Sequence, residues 1–450
     1  MTDPAASLAA LTRAASHSER RLVVISYHFP PDGSVGGLRW SGLTKYLSAA
    51  GWKSWVVTAA PSDASHLANG VVVVSCPRQP TLNDAYRWFR RRLGPAGSGE
   101  RSLPGRQDHS RAGSGLGWIG ALRLEGGMLL GLPDEGRGWI LRAAAHARRL
   151  IRHVRPDAVV SSGPPHSAHV AAWLATRGIR TRWLVDLRDP WSALGHSCHS
   201  HAARRSHLWR WVAGRLERLV STSAAGVLCT TPELASAIEA RYAGVRAQWI
   251  PNGVDGELIP KSAAHYPGLG IAYAGTMYGA HDLGPVLQAL RVFLDRYPRA
   301  REAGAKLRIA GTLESRHLDI LRRQAAALGL SDCVEVVGVL PRSAALELVA
   351  RSRLAVVLAQ QLDANVPAKL YETVAMGVLT LMLAAPHSAA SAEAQRLGAV
   401  AVEPNDIQSI VGVMEDLWLE RKSNRRVQTP DALVDYRERA RQLSPILSGD

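Results

Sequence analysis

The stretch LVVISYHFPPDGSVGGLRWSGLTKYLSAAGW, residues 22–52, passes from an apolar run through two prolines and three glycines into a helical pattern. A buried strand, a glycine-rich loop and a helix in this order are typical of the first half of a βαβ unit. Loop N–H groups and the positive end of the following helix favour an anion. However, Gly33, Gly36 and Gly37 match neither the dinucleotide fingerprint nor the P-loop, so a ligand-binding loop and a plain strand-to-helix turn are equally good interpretations.

The same alternation of apolar runs and helical patterns continues along the chain and defines two series of predicted strands. The first series is LVVIS, SWVVT, VVVVS, AVVSS, RWLVD and AGVLC, and the second, which begins near Gly270, is GIAYAG, KLRIAG, VEVVG, LAVVL, LTLML and AVAV. Runs that are apolar on both faces predict parallel sheets covered by helices on both sides. We therefore expect the α/β class, as two doubly wound Rossmann-like domains facing each other across a cleft, with ligands outside the carboxyl ends of the strands.

The chain length also indicates two domains, because 450 residues exceed what one hydrophobic core usually supports. The predicted organisation is an N-terminal extension (1–21), a first domain (22–250), a linker rich in Pro and Gly (251–269), a second domain (270–425) and a C-terminal tail (426–450). Residues 94–117, rich in Gly, Ser and charge, are predicted to form a mobile insertion in the first domain.

Composition describes a globular protein with a strong positive charge. Hydrophobic residues make up 46% of the chain, and 54 basic against 38 acidic residues give a formal net charge of +16. This charge points to an anionic partner such as nucleic acid, a membrane or a phosphorylated substrate, but no nucleic-acid-binding module is recognisable. No apolar run approaches the roughly 18 residues that span a bilayer, and residues 1–21 lack the core of a signal peptide. We expect a cytoplasmic protein.

Two basic aromatic regions predict peripheral contact with the inner face of the membrane. RRSHLWRWVAGRLERLV (204–220) has the pattern of a basic amphipathic helix, which fits either a solvated surface or anionic lipid headgroups. YRWFRRRL (86–93) and GWIGALRLEGGMLLGL (117–132) flank the predicted insertion and together could form a membrane-surface patch.

Cysteine and histidine spacing gives little support for a metal site. The four cysteines contain no C-x-x-C pair, so they indicate neither a disulfide framework nor zinc-finger spacing. GHSCHSH (195–201) crowds potential ligands into one segment, but no second cluster completes a zinc site. There is also no D-x-D triplet to hold a divalent cation. We expect no bound metal and no cofactor.

A short predicted helix in the second domain carries the best candidates for an anion site. In NVPAKLYETVAMGVLTLML (365–383), Lys369 and Glu372 are three residues apart and so share one helix face before Gly377. A lysine in this place can neutralise a diphosphate, and a glutamate can bind the hydroxyls of a ribose. The alternative is an ordinary surface ion pair.

Two motifs in the first domain contain further polar candidates. DLRDPWS places Asp186, Arg188 and Asp189 at the end of an apolar strand, where they could orient an acceptor hydroxyl or, for Asp189, act as a base. An Arg188–Asp189 network that fixes the loop before Pro190 is the alternative. His166 is either a hydrogen-bonding residue of an acceptor site or the cap of the next helix.

Six motifs in order resemble the family 4 glycosyltransferases. They are FPPDGSVGGLRWSGLTKYLSAAGW (29–52), SSGPPHSAH (161–169), VDLRDPWS (185–192), IPNGVD (250–255), IAYAGTMYGAHDLGPVLQAL (271–290) and VPAKLYETVAMG (366–377). The match runs from about residue 22 to about residue 422.

This resemblance implies a GT-B fold, in which the first domain binds the acceptor and the second holds a nucleotide sugar. Gly36 and Gly37 would then approach the donor diphosphate across the cleft, Lys369 would contact the same diphosphate and Glu372 the ribose. The donor-binding residues implied are Gly36, Gly37, Gly275, Thr276, Lys369, Leu370 and Glu372, and the catalytic candidates are Lys369, Glu372, Asp189, Arg188 and His166. The resemblance also implies retention of anomeric configuration and independence of metals.

The sequence departs from the family in two places. Ala364 stands where many members carry an additional glutamate, and Gly275, Thr276, Met277 and Tyr278 stand where many place Arg and Lys. Neutralisation of the diphosphate is therefore expected to depend heavily on Lys369.

The expected activity is transfer of a hexose-type unit from a nucleotide diphosphate sugar to a hydroxyl of a polysaccharide precursor, a lipid-linked sugar or a small molecule. The alternatives are a GT-B-like nucleotide-sugar epimerase and a non-catalytic sugar- or nucleotide-binding partner in glycan assembly.

Overall fold

The chain forms two compact units, one of Met1–Pro251 with Arg439–Asp450 and the other of Asn252–Glu438. The structure, a computed structural model, describes residues 19–32, 34–60, 66–68, 70–81, 84, 88, 132–192, 207–260, 264–277, 279, 281–360, 364–419 and 434–449. The predicted insertion (94–117) and the GHSCHSH segment lie outside the described residues, as do residues 1–18 of the predicted extension and nearly all of both segments that flank the insertion.

The first unit is built on an eight-stranded sheet. Its strands are β1 (Arg20–Ser26), β2 (Trp52–Thr58), β3 (His66–Ala68), β4 (Val71–Ser75), β5 (Ala158–Gly163), β6 (Arg182–Leu187), β7 (Gly226–Cys229) and β8 (Ala247–Trp249). They lie in the order β3-β4-β2-β1-β5-β6-β7-β8, and all pairs are parallel except β3 with β4. The six strands predicted from apolar runs are all present. The two edge strands, β3 and β8, have only three residues each, too few to give a periodic signal.

Helices cover this sheet and bury its apolar side chains. They are α1 (Leu38–Ala49), α2 (Ile140–Val154), α3 (Ser167–Thr176), α4 (His207–Ser223) and α5 (Pro232–Arg241). The core contains Val23 and Ile25 of β1 together with Ala143, Ala147 and other apolar residues of α2 and α3. None of the helices in the described ranges is long and apolar enough to cross a membrane.

The second unit has a six-stranded sheet in which every pair is parallel. Its strands are β9 (Gly270–Ala274), β10 (Lys306–Ala310), β11 (Val334–Gly338), β12 (Leu354–Ala359), β13 (Leu379–Ala384) and β14 (Val400–Val402). Their order is β11-β10-β9-β12-β13-β14, so the chain reverses its direction of travel across the sheet between β9 and β12. This is the doubly wound topology, whose ligands bind at that reversal point. The predicted second series of strands and the α/β class are confirmed.

Helices pack on both faces of the second sheet. They are α6 (Gly284–Arg296), α7 (Pro298–Glu302), α8 (Ser315–Ala327), α9 (Arg342–Ala350), α10 (Ala368–Ala375), α11 (Ala389–Arg396) and α12 (Ile407–Trp418). Residues of α6, α8 and α12 belong to the hydrophobic core on one face, and residues of α9, α10 and α11 belong to the core on the other. Helices therefore cover both faces of the sheet, as expected for strands that are apolar on both faces.

The C-terminal segment differs from the expected tail. Residues Tyr436–Ser448 form helix α13, in which Ala440, Leu443 and Leu447 are fully buried or nearly so. These residues share one helix face by their spacing. The Ser444 hydroxyl accepts a hydrogen bond of 2.9 Å from the indole N–H of Trp52. An apolar stripe therefore makes α13, from Arg439 onward, an integral part of the first unit.

The expected linker also has defined structure at its start. Val254 forms a bridge with Asp435, its N–H donates to the Val434 carbonyl at 2.8 Å, and its carbonyl accepts from the Tyr436 N–H at 2.9 Å. Residues 252–254 and 434–436 thus run side by side within the second unit.

Candidate active site

In the second unit, two glycines leave the backbone uncovered at the carboxyl ends of β9 and β10. The Gly275 N–H donates to the Ala310 carbonyl at 2.8 Å. Gly311 has a φ of 123°, and a Cβ atom there would lie 2.0 Å from the Gly275 carbonyl oxygen. No side chain fits at position 311. The two strands therefore end in bare backbone next to the reversal point of the sheet.

The Lys369 ammonium group lies directly on this bare backbone. A Cβ atom added to Gly275 would be 1.4 Å from Lys369 Nζ, and Nζ is 5.3 Å from the centroid of the Tyr273 ring. Loss of hydration lowers the pKa of Lys369 to about 8, and the nearby carboxylate of Glu372 opposes that shift. The group is therefore mostly protonated at pH 7 and offers a partly desolvated positive charge to an anion.

Helix α10 also carries Glu372, whose carboxylate is held by a residue that the sequence motifs did not indicate. Glu372 Oε1 accepts a charge-assisted hydrogen bond of 2.7 Å from Arg342, the first residue of α9. The structure brings Lys369, Glu372, Gly275 and Thr276 to one edge of the second sheet, as expected. The Glu372 carboxylate is thus shared between the Arg342 ion pair and the electrostatic field of Lys369.

Leu370 and Thr276 have mainly structural contacts. The Leu370 side chain is fully buried in the core beside α10, and its N–H donates to the Pro367 carbonyl at 3.0 Å. The Thr276 carbonyl accepts a hydrogen bond of 3.1 Å from the Tyr273 hydroxyl. That bond fixes the loop after β9 to the Tyr273 hydroxyl.

In the first unit, Gly36 and Gly37 belong to a 3-10 turn, Val35–Gly37, that leads directly into α1. A Cβ atom on Gly37 would lie 2.9 Å from the Cα of Phe29. One on Gly36 would lie 3.0 Å from the His28 ring. Close packing against the chain that leaves β1 therefore requires glycine at position 37, independently of any ligand.

Arg188 fixes this glycine turn to the neighbouring strand end. Its guanidinium donates to the Gly36 carbonyl at 2.5 Å and also to the Pro164 carbonyl. The backbone N–H of Arg188 donates to the Gly163 carbonyl at 2.9 Å. Arg188 thus holds loops together, as the structural alternative proposed, but through carbonyl oxygens. Asp189 beside it is half-buried.

Asp186 lies too deep to contact an acceptor. It is fully buried and accepts hydrogen bonds from the Trp40 indole at 2.7 Å and the Ser162 hydroxyl at 2.8 Å. Arg39 forms an ion pair with it at 3.2 Å, and also donates to the carbonyls of Ile250 and Pro251, both at 2.9 Å. The expectation that Asp186 faces a ligand is therefore wrong, because its lone pairs are used to join α1 to β6.

His166 is nearly buried and does not cap α3 through its side chain. Its ring stacks on Trp191, with centroids 4.5 Å apart and planes 6° from parallel. The N–H of Ser167, the first residue of α3, donates instead to the Asp134 carboxylate at 2.9 Å. The capping interpretation of His166 is thus not supported, and its ring remains part of an aromatic pair near the carboxyl end of β5.

The neighbouring His169 is uncharged at neutral pH. It is fully buried, and desolvation lowers its pKa to about 3. Its Nδ1 lies 2.9 Å from the Ser161 hydroxyl, which accepts a hydrogen bond of 3.0 Å from the Trp183 indole. The Ser161 hydroxyl therefore links the buried imidazole of His169 to the indole of Trp183.

Comparison with solved structures shows the fold. Sucrose-phosphate synthase from Thermosynechococcus elongatus has a TM-score of 0.61 at 13% identity, with 95% of this chain and 98% of that chain covered. Anabaena HepE in complex with UDP and glucose has a TM-score of 0.59 at 14% identity, with 96% and 100% covered. Trehalose 6-phosphate synthase from Burkholderia multivorans has a TM-score of 0.61 at 15% identity, with 96% and 97% covered. The fold is GT-B.

Comparison with protein families shows the class of protein. Residues 103–253 match the glycosyl transferase 4-like domain, and residues 273–430 match the glycosyl transferases group 1 domain. No match was found among curated protein sequences. The two family matches cover most of the chain, one in each half, in the order that the sequence motifs predict. The chain belongs to the family 4 (group 1) glycosyltransferases.

Proposed function

We propose that this glycosyltransferase binds the diphosphate of its nucleotide sugar at the carboxyl edge of the second sheet. The observation that supports this most is the position of Lys369 Nζ, which lies on the backbone of Gly275 with its charge partly desolvated. Low local dielectric strengthens attraction to a bound phosphate oxygen. Glu372, three residues along the same helix, is the proposed acceptor for a ribose hydroxyl.

In the proposed reaction a hexose-type unit moves with retention of configuration and without a metal ion. The bond between the anomeric carbon and the diphosphate oxygen breaks, and a bond to the acceptor oxygen forms. The acceptor hydroxyl proton passes to the released diphosphate. Lys369 stabilises the negative charge that develops on the leaving group, which is a transition-state effect and so acts on turnover as well as on binding.

We propose that the acceptor binds to the first unit near His166 and Asp189, which follow the carboxyl ends of β5 and β6. Ligands of doubly wound sheets bind at this edge. The proposed acceptor is a polysaccharide precursor, a lipid-linked sugar or a small molecule. Substitution of His166 or Asp189 by alanine is expected to raise KM for the acceptor while the Kd for the nucleotide sugar stays unchanged.

The test of the activity is a screen of the purified protein with UDP-, GDP-, ADP- and dTDP-sugars, with and without candidate acceptors. Release of one nucleoside diphosphate that depends on acceptor and is lost in Lys369→Ala supports a transferase. A changed sugar without any acceptor would instead indicate an epimerase. Binding without turnover would indicate a non-catalytic partner in glycan assembly.

We further propose that helix α4 places the protein on the anionic inner face of the cytoplasmic membrane. Its outer face exposes Leu208 (39%), Trp211 (58%) and Leu219 (37%), and the Arg215 guanidinium lies 5.0 Å from the Trp211 ring. The only acidic residue of the helix, Glu217, is fully buried. An outer face with arginines, tryptophan and leucines but no acid fits anionic headgroups.

Sedimentation with lipid vesicles tests this surface. The protein should bind vesicles that contain phosphatidylglycerol, release from them at high salt, and bind much less to pure phosphatidylcholine. Trp211→Ser with Leu219→Ser should weaken binding, whereas Trp249→Ser, at another exposed tryptophan, should not. Equal binding of both variants would contradict the proposal.

A further inference from the structure

The ion pair between Arg342 and Glu372, which are 30 positions apart in sequence, joins helices α9 and α10. The Arg342 side chain is 41% exposed, whereas that of Glu372 is only 15% exposed. The arginine therefore covers one side of a sheltered carboxylate and keeps its own charge near solvent. Within the described part of the second unit, Oε1 of Glu372 accepts this hydrogen bond and Oε2 accepts none.

Both helices direct their N-terminal ends toward the carboxyl edge of the sheet. Helix α9 follows β11 and α10 follows β12, and in a parallel sheet each such helix begins at the edge where its strand ends. The N-caps are Pro341 and Pro367, and neither helix has a side-chain cap. First-turn N–H groups and helix dipoles therefore add positive potential there.

Two basic side chains at this edge, Lys369 and Arg342, come from these two helices. The loop after β9 contributes Gly275, Thr276 and Met277 but no arginine or lysine. Glu372 pairs with Arg342 and interacts electrostatically with Lys369, and the three side chains carry one net positive charge. Arg342 thus supplies a second cation to an edge at which the loop after β9 supplies none.

We propose that Arg342 is a positioning residue for the donor nucleotide. It holds Glu372 by Oε1 and leaves Oε2 for a ribose hydroxyl, while its charge supports the bound diphosphate. A carboxylate that is already fixed loses less freedom when the ligand binds. This inference rests on the proposed function, and it names ribonucleoside diphosphate sugars, in preference to 2′-deoxy ones, as the donor class.

Titration calorimetry with UDP, GDP and ADP and with their 2′-deoxy counterparts tests this role. The variants are Arg342→Ala, Arg342→Lys, Glu372→Ala and the double variant, and Arg323→Ala is the control. Arg323 is exposed on α8 and donates only to its own helix, so its loss removes the same charge elsewhere. Thermal unfolding of each variant shows whether it is folded.

The wild type is expected to bind one ribonucleotide about tenfold or more tightly than its 2′-deoxy form, because one charge-assisted hydrogen bond is lost. Arg342→Ala should remove most of this preference, and Arg342→Lys should restore part of it. In the Glu372→Ala background, Arg342→Ala should not change the ratio further, since the residue through which it acts is gone.

The possible failures are distinguishable. If the wild type binds no nucleoside diphosphate, the proposed function is overturned together with this inference. If the wild type binds and prefers the ribonucleotide but Arg342→Ala keeps the full preference, the donor site stands and the role of Arg342 is wrong. A loss of affinity in Arg323→Ala equal to that in Arg342→Ala would show a general charge effect and would also overturn the role.

Discussion

Lys369 Nζ lies so close to Gly275 that a Cβ atom at position 275 would be 1.4 Å away from it. The ammonium therefore occupies space that only glycine leaves free. This contact defines the geometry of the candidate donor site more directly than any other, because it joins the end of β9 to helix α10. Its consequences can be measured at both residues.

Gly275→Ala is expected to displace the Lys369 ammonium and weaken binding of the nucleotide sugar about as much as Lys369→Ala does. A lost charge-assisted contact corresponds to about 1.5–3 kcal/mol, or roughly tenfold to a hundredfold in Kd. The Tm should fall as well, because the Gly275 backbone has a φ of 159°, which alanine rarely adopts. Gly412→Ala, where an added Cβ meets no atom within 4 Å, is the control, and its Kd should equal that of the wild type.

Binding of the nucleotide sugar should weaken as the pH rises above 8. Desolvation depresses the pKa of Lys369 to about 8, so the charged form that binds the diphosphate is lost through this range. The affinity of a UDP-sugar or the preferred donor should fall by up to about tenfold for each pH unit above that pKa. Lys369→Arg stays charged throughout this pH range and should flatten the profile. A wild-type profile that stays flat to pH 9.5 would show that this ammonium does not contact the anion.

Breaking the buried Arg39–Asp186 pair should destabilise the first unit without touching the donor site. Removal of one partner from a buried ion pair costs about 3–5 kcal/mol, because the other charge remains buried. Asp186→Ala should therefore lower the urea midpoint and speed amide exchange in α1 and β6. Arg291→Ala, which removes an exposed pair with Asp295, should cost only about 0.3–0.5 kcal/mol. Similar costs for the two substitutions would contradict the buried network.

The C-terminal helix should be essential for the stability of the first unit. Leu443 is fully buried, and Leu→Ala substitutions at such positions cost about 2–5 kcal/mol. Leu443→Ala should lower the Tm clearly, whereas Ser448→Ala, which loses only a hydrogen bond within its own helix, should have a small effect. A normal Tm for Leu443→Ala would mean that α13 does not pack as described.

Much of the fold could be predicted from the sequence because buried parallel strands have a strong local signal. The apolar runs identified twelve of the strands. The edge strands β3 and β8 of the first sheet gave no such signal. The sequence did not indicate helix α13, because charged residues interrupt its stripe of Ala440, Leu443 and Leu447. The composition of this segment is therefore similar to that of an exposed C-terminal tail.

The candidate site was predictable only where its residues are neighbours in sequence. Lys369 and Glu372 share a helix face, which spacing alone reveals. The partners Arg342 and Glu372, or Arg39 and Asp186, are 30 and 147 residues apart, and only the sheet topology brings them together. For Arg188 the sequence left a structural and a catalytic role open, and its carbonyl partners depend on loop conformations that no periodicity describes.

The most direct test of the donor site is the affinity of the purified protein for nucleotide sugars, measured for the wild type, Lys369→Ala and Lys306→Ala. Lys306 begins β10 and so lies at the opposite edge of the same sheet. We expect one donor to bind the wild type and Lys306→Ala equally and to bind Lys369→Ala at least about tenfold more weakly, because only Lys369 meets the diphosphate. Unchanged affinity in Lys369→Ala, or equal losses in both variants, would contradict a diphosphate site at Gly275 and Lys369.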